Sequence, residues 1–306
     1  MRRIGFVLAL ALISTISAVY AQGDEDTELI FTPPDHPISP ENWVQFTDAP
    51  GDNYHSRWSP DGKWIAVTRQ FGMEDVQIWL LPVDGGEDVQ IDIPLTGDLD
   101  FDWSPDSTHI AFDAYQEDGP PLEIWTIAIT GEDWQRVTNN TYGDAHPTWS
   151  PAGDELAFVS GADGIIVTTL DGHKIRTLTR GACFHPVWSP DGQWIVFSQQ
   201  NSLNDIDLWI IPAEGGEARQ LTSGPHGEDR VRWFPNSQWI TFQSDREGTM
   251  DIWALEIESG EMVQLTDDSF DERYPTWSPD GTQLAFMSNR TGTGQVWMID
   301  FAALME

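Results

Sequence analysis

Short apolar runs recur along this chain at regular distances. Ile65-Ala66-Val67, Ile110-Ala111-Phe112, Leu156-Ala157-Phe158, Ile195-Val196-Phe197, Ile240-Thr241-Phe242 and Leu284-Ala285-Phe286 are each too short for a helix. Runs of this length suit strands covered on both faces. Each follows one phrase: Trp58-Ser59-Pro60-Asp61-Gly62, Trp103-Ser104-Pro105-Asp106-Ser107, Trp149-Ser150-Pro151-Ala152-Gly153, Trp188-Ser189-Pro190-Asp191-Gly192, Trp233-Phe234-Pro235-Asn236-Ser237 or Trp277-Ser278-Pro279-Asp280-Gly281. The phrase predicts a strand ending at the Trp and then a tight turn. Pro presets φ at the second turn position and Gly is favoured at the fourth. After a polar loop, a third strand is centred on Trp79, Trp125, Ile166, Trp209, Trp253 or Trp297. A Gly turn such as Asp84-Gly85-Gly86 leads to a fourth strand ending in Thr, at Thr96, Thr138, Thr179, Thr222 and Thr266.

The six phrase Trp residues are spaced by 45, 46, 39, 45 and 44. A four-stranded repeat of roughly 40–50 residues marks a β-propeller. The expected fold is therefore all-β: a six-bladed propeller of four-stranded blades. Five Thr endings serve six repeats, and the last repeat stops after its third strand, near Asp300. The missing strand is Trp43-Val44-Gln45-Phe46-Thr47, which should join the last blade, close the ring and remove two open edges. The blades then span about 48–96, 97–138, 139–179, 180–222, 223–266 and 267–301 plus 43–47, within a propeller domain of residues 43–306.

The start of the chain reads differently. Met1-Arg2-Arg3 is basic, Ile4 to Ile16 is almost wholly apolar, and small residues precede a polar run. This is the pattern of a signal peptide, residues 1–21, with cleavage after Ala21, and it implies a secreted or periplasmic protein. The competing reading is a retained anchor, for which the apolar run is short. Residues 22–42 are acidic and Pro-containing without apolar period, and are expected to be a flexible lead. Cys183 is the single cysteine, so no intrachain disulfide forms. The formal charge is −35, with Lys63 and Lys174 the only lysines. Such a surface repels nucleic acid and anionic lipid and attracts cations or basic partners. Simple solubility or a salty habitat explains it equally well.

The phrase Trp-Ser-Pro-Asp-Gly, the following Ile-Ala-Phe, an Ile-Trp strand and a Leu-Thr ending together resemble the TolB-like propeller family. Ser244-Asp245-Arg246-Glu247-Gly248 before Asp251-Ile252-Trp253, and Asp271-Glu272-Arg273-Tyr274-Pro275 before Trp277, are similar to that family's loops. The resemblance covers residue 43 to about 300 and implies six blades. It carries no single function. Related propellers precede peptidase domains, and no Gly-x-Ser-x-Gly nucleophile turn is present in this sequence. Some pectate-degrading lyases use a similar propeller with a metal-bearing His cluster, which draws attention to the His positions.

The innermost strand of a propeller lines the central channel, and residues entering it sit at one mouth. Three residues before each phrase Trp stand His55, Asp100, His146, His185, Arg230 and Tyr274. Five before stand Asn53, Asp98, Asp144, Cys183, Glu228 and Glu272. Residues two apart share a strand face, so two stacked rings at the mouth are expected. His55, His146 and His185 are candidate ligands for a divalent metal, since imidazole and carboxylate suit transition ions. No other cofactor is implied. The competing reading is structural: carboxylates here bond to loop N–H groups, as Asp does in turns.

Eight of the eleven Arg residues beyond residue 21 fall on or beside this face: Arg57, Arg69, Arg180, Arg230, Arg232, Arg246, Arg273 and Arg290. Blades two and three carry Asp98, Asp100, Asp102, Asp113, Glu117, Asp118 and Asp144 instead. Arg forks bind carboxylates in two-pronged fashion, so an acidic ligand is one reading. Pairing of Arg246 and Arg290 with acids of neighbouring blades, such as Glu228 and Glu272, is the other.

The function expected from this pattern is non-catalytic recognition of a protein or small ligand at the channel mouth, by a monomer without a membrane span after signal cleavage. Two alternatives stand beside it. One is a metal-dependent lyase or hydrolase acting on an acidic saccharide, with Arg230 and Arg273 holding the carboxylate. The other is a subunit of a cell-envelope assembly.

Overall fold

A computed structural model describes residues 29–304 of the 306-residue chain, apart from 73–75, 94, 98, 117, 118, 162, 203 and 204. The expected signal peptide and the first part of the lead lie outside the described residues. So do Asp98, Glu117 and Asp118.

The strands form six antiparallel sheets of four. Blade one comprises Asp52–Trp58, Trp64–Gln70, Val76–Pro82 and Val89–Ile91, in order from the axis outward. The innermost strands of neighbouring blades touch right round the ring, including those of blades six and one. The core lies between blades rather than within them. Val67 and Leu81 of blade one cluster with Ala285 and Val296 of blade six. Ile78 and Ile91 of blade one cluster with Phe101, Ile110 and Phe112 of blade two. The second-strand triplets are fully buried, which explains their unbroken apolar character.

The turns behave as the phrase predicts. Ser59 Oγ donates to Asp61 Oδ1 at 2.7 Å and accepts from Trp64 N at 3.0 Å. The same pair of bonds recurs at Ser104, Ser189 and Ser278. Gly62 takes φ 71°, the left-handed region that Gly enters without a Cβ penalty. These turns end the innermost strands, so they lie on the face opposite the residues that enter those strands.

The last blade consists of Glu272–Trp277, Gln283–Ser288 and Gln295–Asp300, and its fourth strand is Trp43–Gln45. Trp43 pairs with Ile299 and Gln45 with Trp297. Phe46 N donates to Val296 O at 2.8 Å, carrying the closure one residue further. Thr47 Oγ1 donates to Gln295 Oε1 at 2.7 Å and accepts from Val296 N at 2.9 Å.

In the described part of the lead, residues 29–42, Phe31 and Ile38 are buried against blades five and six, while most of the residues around them are exposed. A lead without periodicity still finds a site when single apolar side chains meet a preformed socket. The phrase and third-strand Trp residues are buried or half-buried, and Trp43 and Trp239 are also buried, whereas Trp134 is 45% exposed.

Deleting residues 43–47 should leave the outer edge of Gln295–Asp300 unpaired in the last blade. The expected outcome is a Tm lower by about 10 °C or loss of a single cooperative transition. Differential scanning calorimetry of the shortened chain checks this, and an unchanged Tm would contradict closure by this strand.

Candidate functional site

In five blades the ladder between first and second strands slips by one residue. The slips fall between Tyr54 and Arg57, Ala145 and Thr148, Phe184 and Val187, Asp229 and Arg232, and Arg273 and Thr276. The first residue inside each bulge is His55, His146, His185, Arg230 or Tyr274, with φ between 46° and 56°. Left-handed backbone is uncommon for such residues and costs about 1–3 kcal/mol when held there. The preceding blade supplies the hold. Asp113 Oδ2 accepts from His146 N at 2.9 Å, and Gln243 Oε1 from Tyr274 N at 3.3 Å. Blade two differs: Leu99, one residue earlier, takes φ 51°, and its carbonyl accepts from Thr68 Oγ1 at 2.9 Å. Asp100 follows it into the channel.

Asp100 is the centre of the charged cluster. Its Oδ2 accepts from Arg230 Nη1 at 2.6 Å and its Oδ1 from Arg57 Nη2 at 3.4 Å. His185 Nε2 lies 3.4 Å from Asp100 Oδ2. On its other side, His185 Nδ1 is 2.7 Å from Asp229 Oδ1, which also accepts from Ser198 Oγ at 2.7 Å. The His146 ring lies on the His185 ring, centroids 3.9 Å apart. Tyr274 is met edge-on by His55 at 4.9 Å, and the Arg230 guanidinium sits 5.0 Å from its ring centre. The three-back residues of the six blades thus lie close together.

The electrostatics follow from burial and pairing. Burial alone would raise Asp100, but His55, Arg230, His185 and Arg57 together hold it well below the usual carboxylate range. Burial likewise opposes ionisation of Asp229, and His185 and Arg230 outweigh it, so its pKa is also lowered. Burial lowers His146 to about 3, helped by His185. His55 is pushed well below its ordinary value, chiefly by burial. Both rings are therefore neutral near pH 7 and offer lone pairs.

His185 Nε2 is buried without a hydrogen-bond partner and faces Asp100. With Nδ1 donating to Asp229, a neutral ring aims its Nε2 lone pair at a carboxylate. A cation between the two groups would remove that conflict. Donor atoms of Asp100, His146 and His185 lie within 4.8 Å of one another. This set replaces the expected His55, His146 and His185: the His55 ring packs on Tyr274, and its Nδ1 lies 3.5 Å from Thr68 Oγ1. Arg57 and Arg230 already flank Asp100, so a divalent ion there meets two fixed positive charges.

The second expected ring is not at the mouth. Asn53, Asp144, Cys183, Glu228 and Glu272 are almost fully buried at the seams between blades. Asn53 reaches Gln295 of blade six, Asp144 accepts from Asn140 Nδ2 at 2.6 Å, and Cys183 Sγ is 3.3 Å from Thr179 Oγ1. The bulge is the cause: its extra residue reverses the alternation between the five-back and three-back positions. Below the bulge alternation resumes. Two residues on from the first ring stand Arg57, Asp102, Thr148, Val187, Arg232 and Thr276; Arg57, Asp102 and Arg232 are among the charged residues expected on or beside this face, whereas Val187 packs into the core between blades four and five. Asp102 Oδ2 accepts from Trp149 N at 3.0 Å, and Thr276 Oγ1 from Trp58 N at 3.1 Å, latching blade to blade. Asp229 was missed; only its neighbour Arg230 fits the three-residue count.

Most of the arginines are structural. Arg246 pairs with Glu228 and lies 4.7 Å from the Trp253 ring centre. Arg290 pairs with Asp268 rather than Glu272 and stacks on Trp43 and Trp297. Arg69 binds Asp88 at 3.1 Å beneath Trp79. Arg273, about a third exposed, holds Asp271 at 3.2 Å. Arg180 is exposed.

The TolB beta propeller domain matches residues 38–183 and 165–271. This chain belongs to that family. Among its relatives is a Tol-Pal system protein TolB of Anaeromyxobacter dehalogenans, 30% identical over 36% of this chain and 26% of that protein. The chain spans about half, or less, of the length of the curated relatives it matches. A structure described as TolB from Agrobacterium tumefaciens superposes with a TM-score of 0.66 at 21% identity, over 84% of this chain and 92% of that one. An oligogalacturonate lyase in complex with manganese gives 0.59 at 18% identity, over 84% and 79%. At these identities the two structures speak for the fold.

Two outcomes test the electrostatics. Asp100→Asn leaves two buried guanidiniums without their shared carboxylate, so it should cost about 3–5 kcal/mol in urea unfolding; Asp84→Asn, at an exposed turn, should cost nothing measurable. At the seam of blades five and six, burial raises Glu272 to about 8 and Asp251 to about 6, with nearby Asp268 adding to both. Both bind protons more tightly folded than unfolded, so their contribution is full below about pH 4 and is lost as pH rises through 6 and 8. The Tm of the native chain should fall between pH 6 and pH 9 by about 5 °C more than that of Glu272→Gln. Parallel pH profiles would refute this.

Proposed function

We propose that this chain is a recognition propeller acting outside the cytoplasm, binding a protein or small ligand at its channel mouth without chemical conversion. The observation that carries the reading is the closure of the charged cluster on itself. Asp100 is matched by Arg57 and Arg230, and Asp229 by His185. A general base works best with a pKa near the working pH, and His146 at about 3 is far from it. What a ligand meets instead is a rigid, shaped surface: Tyr274, the accessible edge of His146, and the half-buried Arg230. The family relationship to a Tol-Pal system protein supports a protein ligand, and a place in an envelope assembly is the form that reading takes. The amino-terminal pattern supports export.

A second reading has its own observation. Asp229 fixes the His185 tautomer and leaves Nε2 unpartnered, as outer carboxylates do for metal-binding imidazoles. Asp100, His146 and His185 are the residues that would hold a divalent metal. Such a metal would polarise a substrate oxygen or lower the pKa of a bound water. The substrate class is an acidic saccharide, by likeness to the oligogalacturonate lyase. Arg273, about a third exposed and paired with the comparably exposed Asp271, is the guanidinium that could turn toward a carboxylate, since Arg230 is committed to Asp100.

Metal content of the purified chain, with Tm measured in EDTA and after adding manganese, zinc or calcium, separates the two. The recognition reading expects no stoichiometric metal, no Tm shift, and no unsaturated product from oligogalacturonate. One metal per chain, lost in both His146→Ala and His185→Ala, overturns it in favour of the lyase. Peptide and glycan arrays give the positive arm: binding retained by the native chain and lost in Tyr274→Ala.

A further inference from the structure

Blade five breaks the turn phrase, and the break has a physical counterpart elsewhere in the chain. Where the other repeats place Ser after the Trp, this one has Phe234; where four have Asp, it has Asn236. Phe234 cannot make the hydroxyl–carboxylate bond that organises the other turns. It is instead buried in a cluster of aromatic rings on the lower face. At the centre of that cluster is a side chain from outside the repeats, Phe31. Its ring lies 5.3 Å from Phe234, 5.2 Å from Trp239, 5.3 Å from Trp277 and 5.6 Å from Phe301, centre to centre. Edge-on and tilted contacts at these distances are favourable beyond simple burial.

The backbone around Phe31 is held as well. Asn236 Nδ2 donates to Leu29 O at 3.1 Å, so the second departure from the phrase also serves this segment. Ile38 N donates to Leu265 O at 2.8 Å, and Trp43 Nε1 donates to Ile38 O at 3.0 Å. Between the two anchors run Thr32-Pro33-Pro34-Asp35-His36-Pro37. Three Pro residues fix φ and remove donors, so the segment loses little freedom on docking. The neighbouring turn is cut to fit: a Cβ on Gly281 would come within 2.6 Å of Phe234. Ser237, the third departure, has a different task, accepting from Asp191 N at 3.1 Å as Ser107 does from Asp61 N.

We propose that residues 29–38 form an intramolecular strap, and that Phe234 and Asn236 are its receptor. The receptor is an aromatic socket on the face opposite the channel mouth, shaped for one Phe carried on an extended, Pro-flanked peptide. The strap crosses the seam of blades five and six beside the closing strand Trp43–Gln45. It therefore seals the ring on its lower side while that strand seals it at the outer edge.

The full-length chain tests this with a synthetic peptide of residues 29–40. Phe31→Ala should lower Tm by about 5 °C or more and raise acrylamide quenching of Trp fluorescence. Adding the peptide should restore both in Phe31→Ala and leave the native chain unaffected, because its socket is filled. The same peptide with Ala in place of Phe31 should do nothing. Phe234→Ser should show the same loss but no rescue. Phe31→Leu keeps an apolar plug and provides a folded reference with an intermediate Tm. Unchanged Tm and quenching in Phe31→Ala, or equal rescue by the Ala peptide, overturns the strap.

Discussion

The site depends on one extra residue in the innermost strands of five of the six blades. A regular strand would send the residues three and five before the phrase Trp to the same side. The bulge separates them, turning one into the channel and the other into the seam between blades. Its left-handed backbone is unfavourable for His, Arg or Tyr in isolation. At His146 and Tyr274 it is held by a polar side chain on the preceding blade, Asp113 or Gln243, which captures the freed N–H. The channel cluster is thus a product of blade–blade contact rather than of any single repeat. A blade alone would relax the bulge and lose the convergence.

This also explains where the sequence was readable. The strands, the turns and the closing strand at Trp43 follow from spacing, apolar runs and the count of Thr endings. Those are local or periodic properties, and each repeat reports them independently. The three-back residues converge because every blade repeats the same geometry about one axis. The burial of the five-back residues was hidden, since no residue type announces a bulge that His, Arg and Tyr all enter. Arg290 chose Asp268 over Glu272 for a similar reason: the choice depends on side-chain reach across a seam, which spacing along the chain does not encode. Phe31 was missed because a single aromatic residue in a polar segment has no period to detect.

The two kinds of acid in this molecule behave oppositely for one physical reason. Asp100 and Asp229 are buried beside cations and stay ionised. Glu272 and Asp251 are buried beside other acids and bind their protons more tightly, with pKa values raised to about 8 and about 6. Burial is common to both; the sign is set by the neighbours. A surface of −35 adds nothing specific to either. In the channel, positive charge is gathered against the trend, and Arg57 and Arg230 fix the site's own carboxylate, Asp100.

The pairing of Trp43 with Ile299 and of Gln45 with Trp297 has a kinetic side. During synthesis the strand that completes the last blade emerges long before its partner. Blades one to five can assemble in order from neighbouring segments, with short loops to close. The ring cannot shut until Gln295–Asp300 has left the ribosome. Non-local pairing of this kind is slow because the loop entropy is lost before the contact forms. Until then the outer edge of the last blade has nothing beside it, and the waiting time for that encounter, more than the strength of any blade, sets how long the nascent protein carries an open edge.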